Sequence, residues 1–336
     1  MTESESAGVD RLVSIARDAL RHYGISRDAS LKLLNISENA TFRVDDPVAD
    51  RTTVLRVNRP GYHSRQAIES ELAWICALRN DKVVRTARIL PATNDSLVVV
   101  GQHPDGETRN AVMFEWIPGI EPPQDRLVED FVELGAIAAR LHQHARSWRR
   151  PEWFTRFRWD FDTSLGHLGH WGRWQDGMGI GRDQHAQLSR LAATLRDRLN
   201  AYGTGEERFG LVHADMRLAN LLVEGPEVTV IDFDDCGFSW YMYDLGSSLS
   251  FIEDHPRVPE MIDAWVRGYR SEAPLSREDE AELPTFVLFR RLLLVSWIGS
   301  HAETTLAQEM GEEFTQISCE LAEDYLMRFD RSRGGA

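Results

Sequence analysis

A chain of 336 residues, 42% of them hydrophobic and 27% charged, can bury a sizeable core and has no low-complexity tract that would argue for disorder. Its formal net charge of −15 speaks against a nucleic-acid partner, whose phosphates demand clustered positive charge, and tolerates a cationic substrate, though acidity mostly serves solubility. Cys76, Cys236 and Cys319 are scattered without CxxC or zinc spacing, the N-terminus is acidic, and the apolar run 286–299 is cut by Arg290 and Arg291. These features lead to the expectation of a cytoplasmic protein with free thiols, no secretory signal and no membrane span.

Residues 9–23 put Leu12, Ile15, Ala16, Ala19 and Leu20 on one helical stripe, with Gly24 placed to cap it. Short extended runs follow. Residues 52–58 are rich in β-branched side chains; a period of two sets Val54, Arg56 and Asn58 on one face and Leu55 and Val57 on the other. A helix is predicted over 64–78, then strands over 96–100 and 111–116, which end at the breaker Pro118-Gly119. Helical spacing returns over 127–142 and 183–199, separated by a Trp- and Gly-rich segment, 145–180, that reads as an aromatic-packed connection. A small β unit comes next, with runs at 211–212, 221–223 and 228–231 and a turn at Gly225-Pro226, and helices complete the chain to about residue 329. The expected architecture is α+β and bilobal: a sheet-rich N-lobe over 1–117 and a larger helical C-lobe over 118–330.

The densest chemical signal is His213-Ala-Asp215-Met-Arg217-Leu-Ala-Asn220, followed by Ile231-Asp232-Phe233-Asp234. A hairpin between the two would return Asp232 towards Asn220. These are two hard oxygen ligands, which suits Mg²⁺ with its few protein ligands plus phosphate oxygens. Asp215, five residues before Asn220, is free to accept a hydroxyl proton. Phosphoryl transfer needs a metal to neutralise charge and a carboxylate to orient the nucleophile.

These residues resemble the kinase-like aminoglycoside phosphotransferase family, which includes choline kinases, one type of homoserine kinase and a bacterial stress-response protein kinase. The resemblance covers roughly residues 31–300. It implies a protein-kinase-like bilobal fold that uses ATP and Mg²⁺. Asp215 then acts as catalytic base or hydroxyl-orienting group, and Asn220 and Asp232 bind Mg²⁺. His213 braces the loop, and Asp244, in Tyr243-Asp244-Leu245, belongs to a later structural element. Where the family has a triphosphate-holding lysine on a strand this chain has Arg56, with Glu71 on the following helix as its partner and Glu69 as the fallback. Arginine is a permanent cation whose fork can grip phosphate and carboxylate together. Residues 35–44 stand in the place of the phosphate-covering loop, with Ser37, Asn39 and Thr41 as polar contacts and no cradle of glycines. Phe114-Glu115-Trp116-Ile117 resembles the hinge, where backbone groups of Glu115 and Ile117 would read adenine. Arg217 lies where protein kinases place a lysine near the transferring phosphoryl group; an ion pair with a nearby acid is its plainer reading.

Other patterns carry less. Gly177-x-Gly179-x-Gly181 lacks a preceding strand, and His167-x-x-His170 and His142-x-His144 have no accompanying ligand set. Only ten residues separate Asp232 from Tyr243, too few for a phosphorylation-ordered activation loop. That favours a small hydroxylated acceptor over a stress-response Ser/Thr protein kinase, and the intact Asp215, Asn220 and Asp232 disfavour an idle nucleotide-binding scaffold. Asp234, Asp235, Glu253 and Asp254 are candidates to attract an ammonium group on that acceptor.

Overall fold

The structure is a computed structural model that describes residues 3–36 and 39–329. In chain order its elements are α1 (Glu3–Leu20), β1 (Ser30–Ile36), β2 (Ala40–Asp46), β3 (Arg51–Val57), α2 (Arg65–Asn80), β4 (Arg85–Thr86), β5 (Ile89–Leu90), β6 (Val99–Gln102) and β7 (Thr108–Glu115). There follow α3 (Leu127–Ser147), α4 (Phe161–Ser164), α5 (Arg182–Tyr202), β8 (Phe209–Val212), β9 (Leu221–Glu224), β10 (Glu227–Val230) and β11 (Gly237–Trp240). Helices α6 (Tyr243–Ser248), α7 (Val258–Glu272), α8 (Arg277–Ser300) and α9 (Thr305–Phe329) close the chain, α9 being broken at Gly311.

The chain divides into two compact units. The first runs to Ile120 and adds Arg150–Arg156 and Leu222–Asp234; the second has Glu121–Arg149, Phe157–Leu221 and the residues from Asp235 on. The contiguous division expected at 117/118 is thus replaced by an interleaved one, for identifiable reasons. β10 pairs in parallel with β4, with Thr229 opposite Arg85, and Ile120 bridges to Val223. The Thr155 N–H donates to Ser70 Oγ at 2.9 Å and Arg156 donates to the Ala67 carbonyl at 3.0 Å, so both are tied to α2.

In the first unit a six-stranded sheet runs β1-β2-β3-β7-β5, with β6 on β7, and every pair is antiparallel. The predicted alternation of β3 holds. Leu55 and Val57 are fully buried in one core with Phe42, Val44, Ala111 and the α1 stripe Ile15, Ala16 and Ala19, and each large apolar side chain so buried is worth ~1.5–3 kcal/mol. Arg56 alternates with them and meets α2, which begins where Ser64 Oγ caps the Ala67 N–H. Most of the segment 35–44, expected as a loop, is strand: β1 and β2 pair with a register shift between Leu33 and Asn35. The hairpin of β9 and β10 forms as expected and joins β4 in a three-stranded sheet.

In the second unit α3 and α7 cross backbone to backbone. A Cβ at Gly135 would lie 2.0 Å from the Trp265 carbonyl oxygen and one at Gly268 1.8 Å from that of Val132, so neither position admits a side chain. β8 pairs antiparallel with β11, a strand the periodicity did not disclose. The Trp-rich connection begins in the last turn of α3 and beyond it holds only the short α4 as α-helix, with Trp159, Trp171 and Trp174 buried in it. After its charged first turns, α8 is mainly apolar from Leu283 on and lies inside the unit: of its most apolar window, 83% is buried. Among the described residues it alone is long and apolar enough to cross a membrane, a longer element than the sequence run suggested, and its burial is that of a core helix.

Candidate active site

The loop after β8 is held in an uncommon shape. Ala214 has φ 68°, a left-handed conformation that costs a non-glycine residue ~1–2 kcal/mol. Asp244, wholly buried at the start of α6, offsets that strain. Its Oδ1 accepts the Ala214 N–H at 2.8 Å, and its Oδ2 accepts the His213 N–H at 3.3 Å and His142 Nε2–H at 2.9 Å. Burial lowers the His142 pKa more than the adjacent Asp244 raises it, so the ring stays neutral. Its Nδ1 lies 3.2 Å from the Tyr269 hydroxyl, which removes His142 from any metal role. His213 is buried and its Nδ1 accepts the Asp215 N–H at 3.4 Å. Met216 N–H donates to Ser247 Oγ at 3.0 Å.

This frame presents Asp215 with three donors. Asn220 Nδ2 gives 2.8 Å to Oδ2 and 2.7 Å to the Asp215 carbonyl, Arg217 Nε stands 3.2 Å from the carboxylate, and an Arg290 terminal nitrogen donates to Oδ1 at 2.9 Å. Burial pushes the Asp215 pKa up, but the charges of Arg217 and Arg290 outweigh it and hold the carboxyl below its ordinary range. Both Asn220 bonds use Nδ2, so Oδ1 is the part of the amide suited to a cation. Arg217 therefore makes the ion pair that was its plainer reading, and its guanidinium lies 5.7 Å from the Phe251 ring centre.

Arg290 was passed over as an interruption of an apolar run. It is 2% exposed, at mid-α8. α8 comes this close because residue 246 on α6 is glycine: a Cβ there would lie 2.5 Å from the Phe286 carbonyl oxygen. The signal was present in the sequence, since a charge inside an apolar helix must be paired. Its neighbour Arg291 is likewise buried and donates to Glu253 (2.8 Å), Ser318 Oγ (2.7 Å) and the Phe314 carbonyl (3.1 Å).

The first unit holds the other sequence-predicted residues. Arg56 and Glu71 form a two-pronged ion pair with both contacts at 2.8 Å, Glu71 fully buried, and Asp234 Oδ1 lies 3.8 Å away. Burial lowers the Arg56 pKa, but Glu71 and Asp234 more than reverse that. Glu69, the fallback, instead pairs with Arg65. Asn39 Nδ2 donates to Asp234 Oδ2 at 2.8 Å, and Asn39 Oδ1 accepts the Arg59 N–H at 3.0 Å. Thr41 pairs with Arg56 across β2 and β3; Ser37 lies outside the described residues. Asp232 is exposed with φ 60°. Ile117 is half-buried. The Glu115 N–H is already engaged by the Arg88 carbonyl at 2.8 Å and its carboxylate by the Arg88 N–H. That N–H is thus paired within the unit.

The acids expected to draw an ammonium group fare unequally. Asp234 is consumed by Arg56 and Asn39, and Glu253 by Arg291; Asp254 is 3.5 Å from the same arginine. Asp235 is half-buried and near enough to Arg290 and Tyr243 to raise both their pKa values. Most of the tryptophans are buried as core, as in the 5.1 Å Trp159–Trp171 contact, whereas Trp153 is exposed.

Comparison with known proteins identifies the family. A model of the phosphotransferase enzyme family covers residues 31–282. The structure of the microcompartment-associated aminopropanol kinase is 47% identical, covers 94% of this chain and 98% of its own, and superposes with a TM-score of 0.88. An amicoumacin kinase in complex with AMP-PNP, Ca²⁺ and Ami is 21% identical over 95% of this chain and 96% of its own, with a TM-score of 0.76. Homoserine kinase of Gluconobacter oxydans is 26% identical over 263 residues, 73% of this chain and 77% of that one.

Proposed function

Because the chain belongs to the phosphotransferase enzyme family, and is thereby a phosphotransferase acting on the hydroxyl of a small molecule, we propose that it transfers the γ-phosphoryl group of ATP, as the Mg²⁺ complex, to a short amino alcohol. The observation that carries the acceptor is the 47% identity to an aminopropanol kinase across 94% of the chain. Charge agrees with it: the net −15 favours an ammonium over a carboxylate.

In this reading Asp215 orients the acceptor hydroxyl, and Arg217, held to Asp215 through Nε, offers its terminal nitrogens to the charge that develops on the transferring group. Asp235, close to Arg290 and Tyr243, is the acid assigned to the acceptor's ammonium. Arg56, steadied by Glu71, holds the triphosphate, with Asn39 and Thr41 on the hairpin beside it and Ile117 near adenine. Asn220 Oδ1 and the Asp232 carboxylate are the hard oxygens that would hold Mg²⁺, and both fit that ion's taste for oxygen. The bound ion would neutralise phosphate charge.

The test compares kcat/KM for 1-amino-2-propanol and ethanolamine with that for matched alcohols lacking the amine, for homoserine and for folded protein. The amino alcohols should lead by ~10-fold or more, a margin that shrinks at high salt and in Asp235→Asn, as expected of a Coulomb contact. Preference for a neutral or anionic acceptor would overturn the proposal.

A further inference from the structure

Arg290 lies deep in the second unit on a helix with no other charge than Arg291 between Leu283 and Ser300, yet it spends its whole fork on polar atoms. Nε donates to Ser250 Oγ at 2.9 Å, one terminal nitrogen donates to the Tyr243 hydroxyl at 2.9 Å and the Ala214 carbonyl at 3.2 Å, and the other to Asp215 Oδ1 at 2.9 Å. Its guanidinium carbon lies 5.0 Å from the Trp171 ring centre. A group fixed from four segments has no freedom of its own to lose.

We infer that Arg290 is a positioning residue for phosphoryl transfer, which sets the plane of the Asp215 carboxylate so that one lone pair faces the acceptor hydroxyl. The inference rests on the phosphotransferase reading. An ionised carboxylate offers about four acceptor positions. Arg290 takes one on Oδ1, and Asn220 and Arg217 take two more. What remains is room for a single hydroxyl in a single direction. Asn220 and Arg217 follow Asp215 on the same loop and move with it, whereas Arg290 comes from α8 and ties the carboxylate to the core. A misplacement of ~1 Å at such a group costs on the order of 100-fold in rate. Lysine would keep the charge but lacks the planar fork that joins Asp215, Tyr243 and Ser250 at once.

The experiment is a mutant cycle on the full-length protein with its best amino alcohol. Arg290→Met should lower kcat by ~30–100-fold while KM for ATP and acceptor change less than ~3-fold, and Arg290→Lys should recover part of the loss. In an Asp215→Asn background the same Arg290→Met change should cost less than ~3-fold, because its target is already disabled. Equal losses in both backgrounds, or a rise in KM with kcat preserved, would overturn the inference. A crystal structure of Arg290→Lys, the variant that retains the buried charge, reads the same point without turnover. The Asp215 carboxylate should be rotated or split between orientations; an unmoved carboxylate with unmoved kcat would refute the role. Wild-type protein inactive on every alcohol would sink the phosphotransferase reading instead, and the variant structure would still decide whether Arg290 sets Asp215.

Discussion

Two buried arginines, one in each unit, meet their carboxylates in opposite ways. Arg56 gives both terminal nitrogens to Glu71 at 2.8 Å, which binds β3 to α2. Arg290 gives a single nitrogen to Asp215 and spends the others on neutral oxygens of Ser250, Tyr243 and Ala214. A two-pronged pair engages both oxygens of its carboxylate and fastens two elements together. A one-pronged contact leaves the carboxylate able to accept another bond, so it can orient a group and still do work. One arrangement suits a structural partner and the other suits a reacting one.

The sharpest way to separate them is to disable each carboxylate and read rate and stability together. Asp215→Asn should lower turnover by ~10²–10⁴-fold, with nucleotide affinity by calorimetry and the urea midpoint near those of the wild type. Near-normal turnover would remove Asp215 from the mechanism. Glu71→Ala should do the reverse in stability. It strands Arg56, 6% exposed, beside Asp234 alone, and losing one partner of a buried pair costs ~3–5 kcal/mol. A loss under ~1 kcal/mol in urea unfolding would show that Asp234 suffices as a counter-charge.

The smallest effect concerns the edge of the Arg56 cluster. His63 Nε2 lies 2.8 Å from the Asp234 carbonyl oxygen, and burial, with Arg156 alongside, lowers its pKa from 6.5 to about 3. Between those values the unfolded chain binds a proton that the native ring refuses. Stability therefore falls as pH drops through this window, by at most ~1.4 kcal/mol per pH unit for this one group. His63→Gln should flatten the slope of the urea midpoint between pH 6.5 and 4. An unchanged slope would assign the acid sensitivity elsewhere.

Much of the site was legible because its residues are neighbours in the chain. Asp215, Arg217 and Asn220 lie on one loop, and their mutual bonds span two to five positions. Arg56 was legible through the period of β3, which places it opposite Leu55 and Val57 whatever the rest of the fold does. Arg290 was not, being 75 residues from its carboxylate, and in a linear reading it looked like a flaw in an apolar run. Asp234 and Glu253 were misjudged for the same reason. Proximity in sequence suggested that Asp234 and Glu253 face a ligand, but arginines on distant elements neutralise both.

By itself the sequence determined the order and type of the long elements, the loop bearing Asp215 and Asn220, and the strand face of Arg56, since period, capping and spacing act over a few residues. Tertiary structure alone decided which strands share a sheet, how 150–156 and 222–234 come to belong to the first unit, and which charges are spent. Those outcomes depend on side chains brought together across many turns of chain. A buried charge is paid for by whichever opposite charge the fold delivers to it, and no local pattern names that partner.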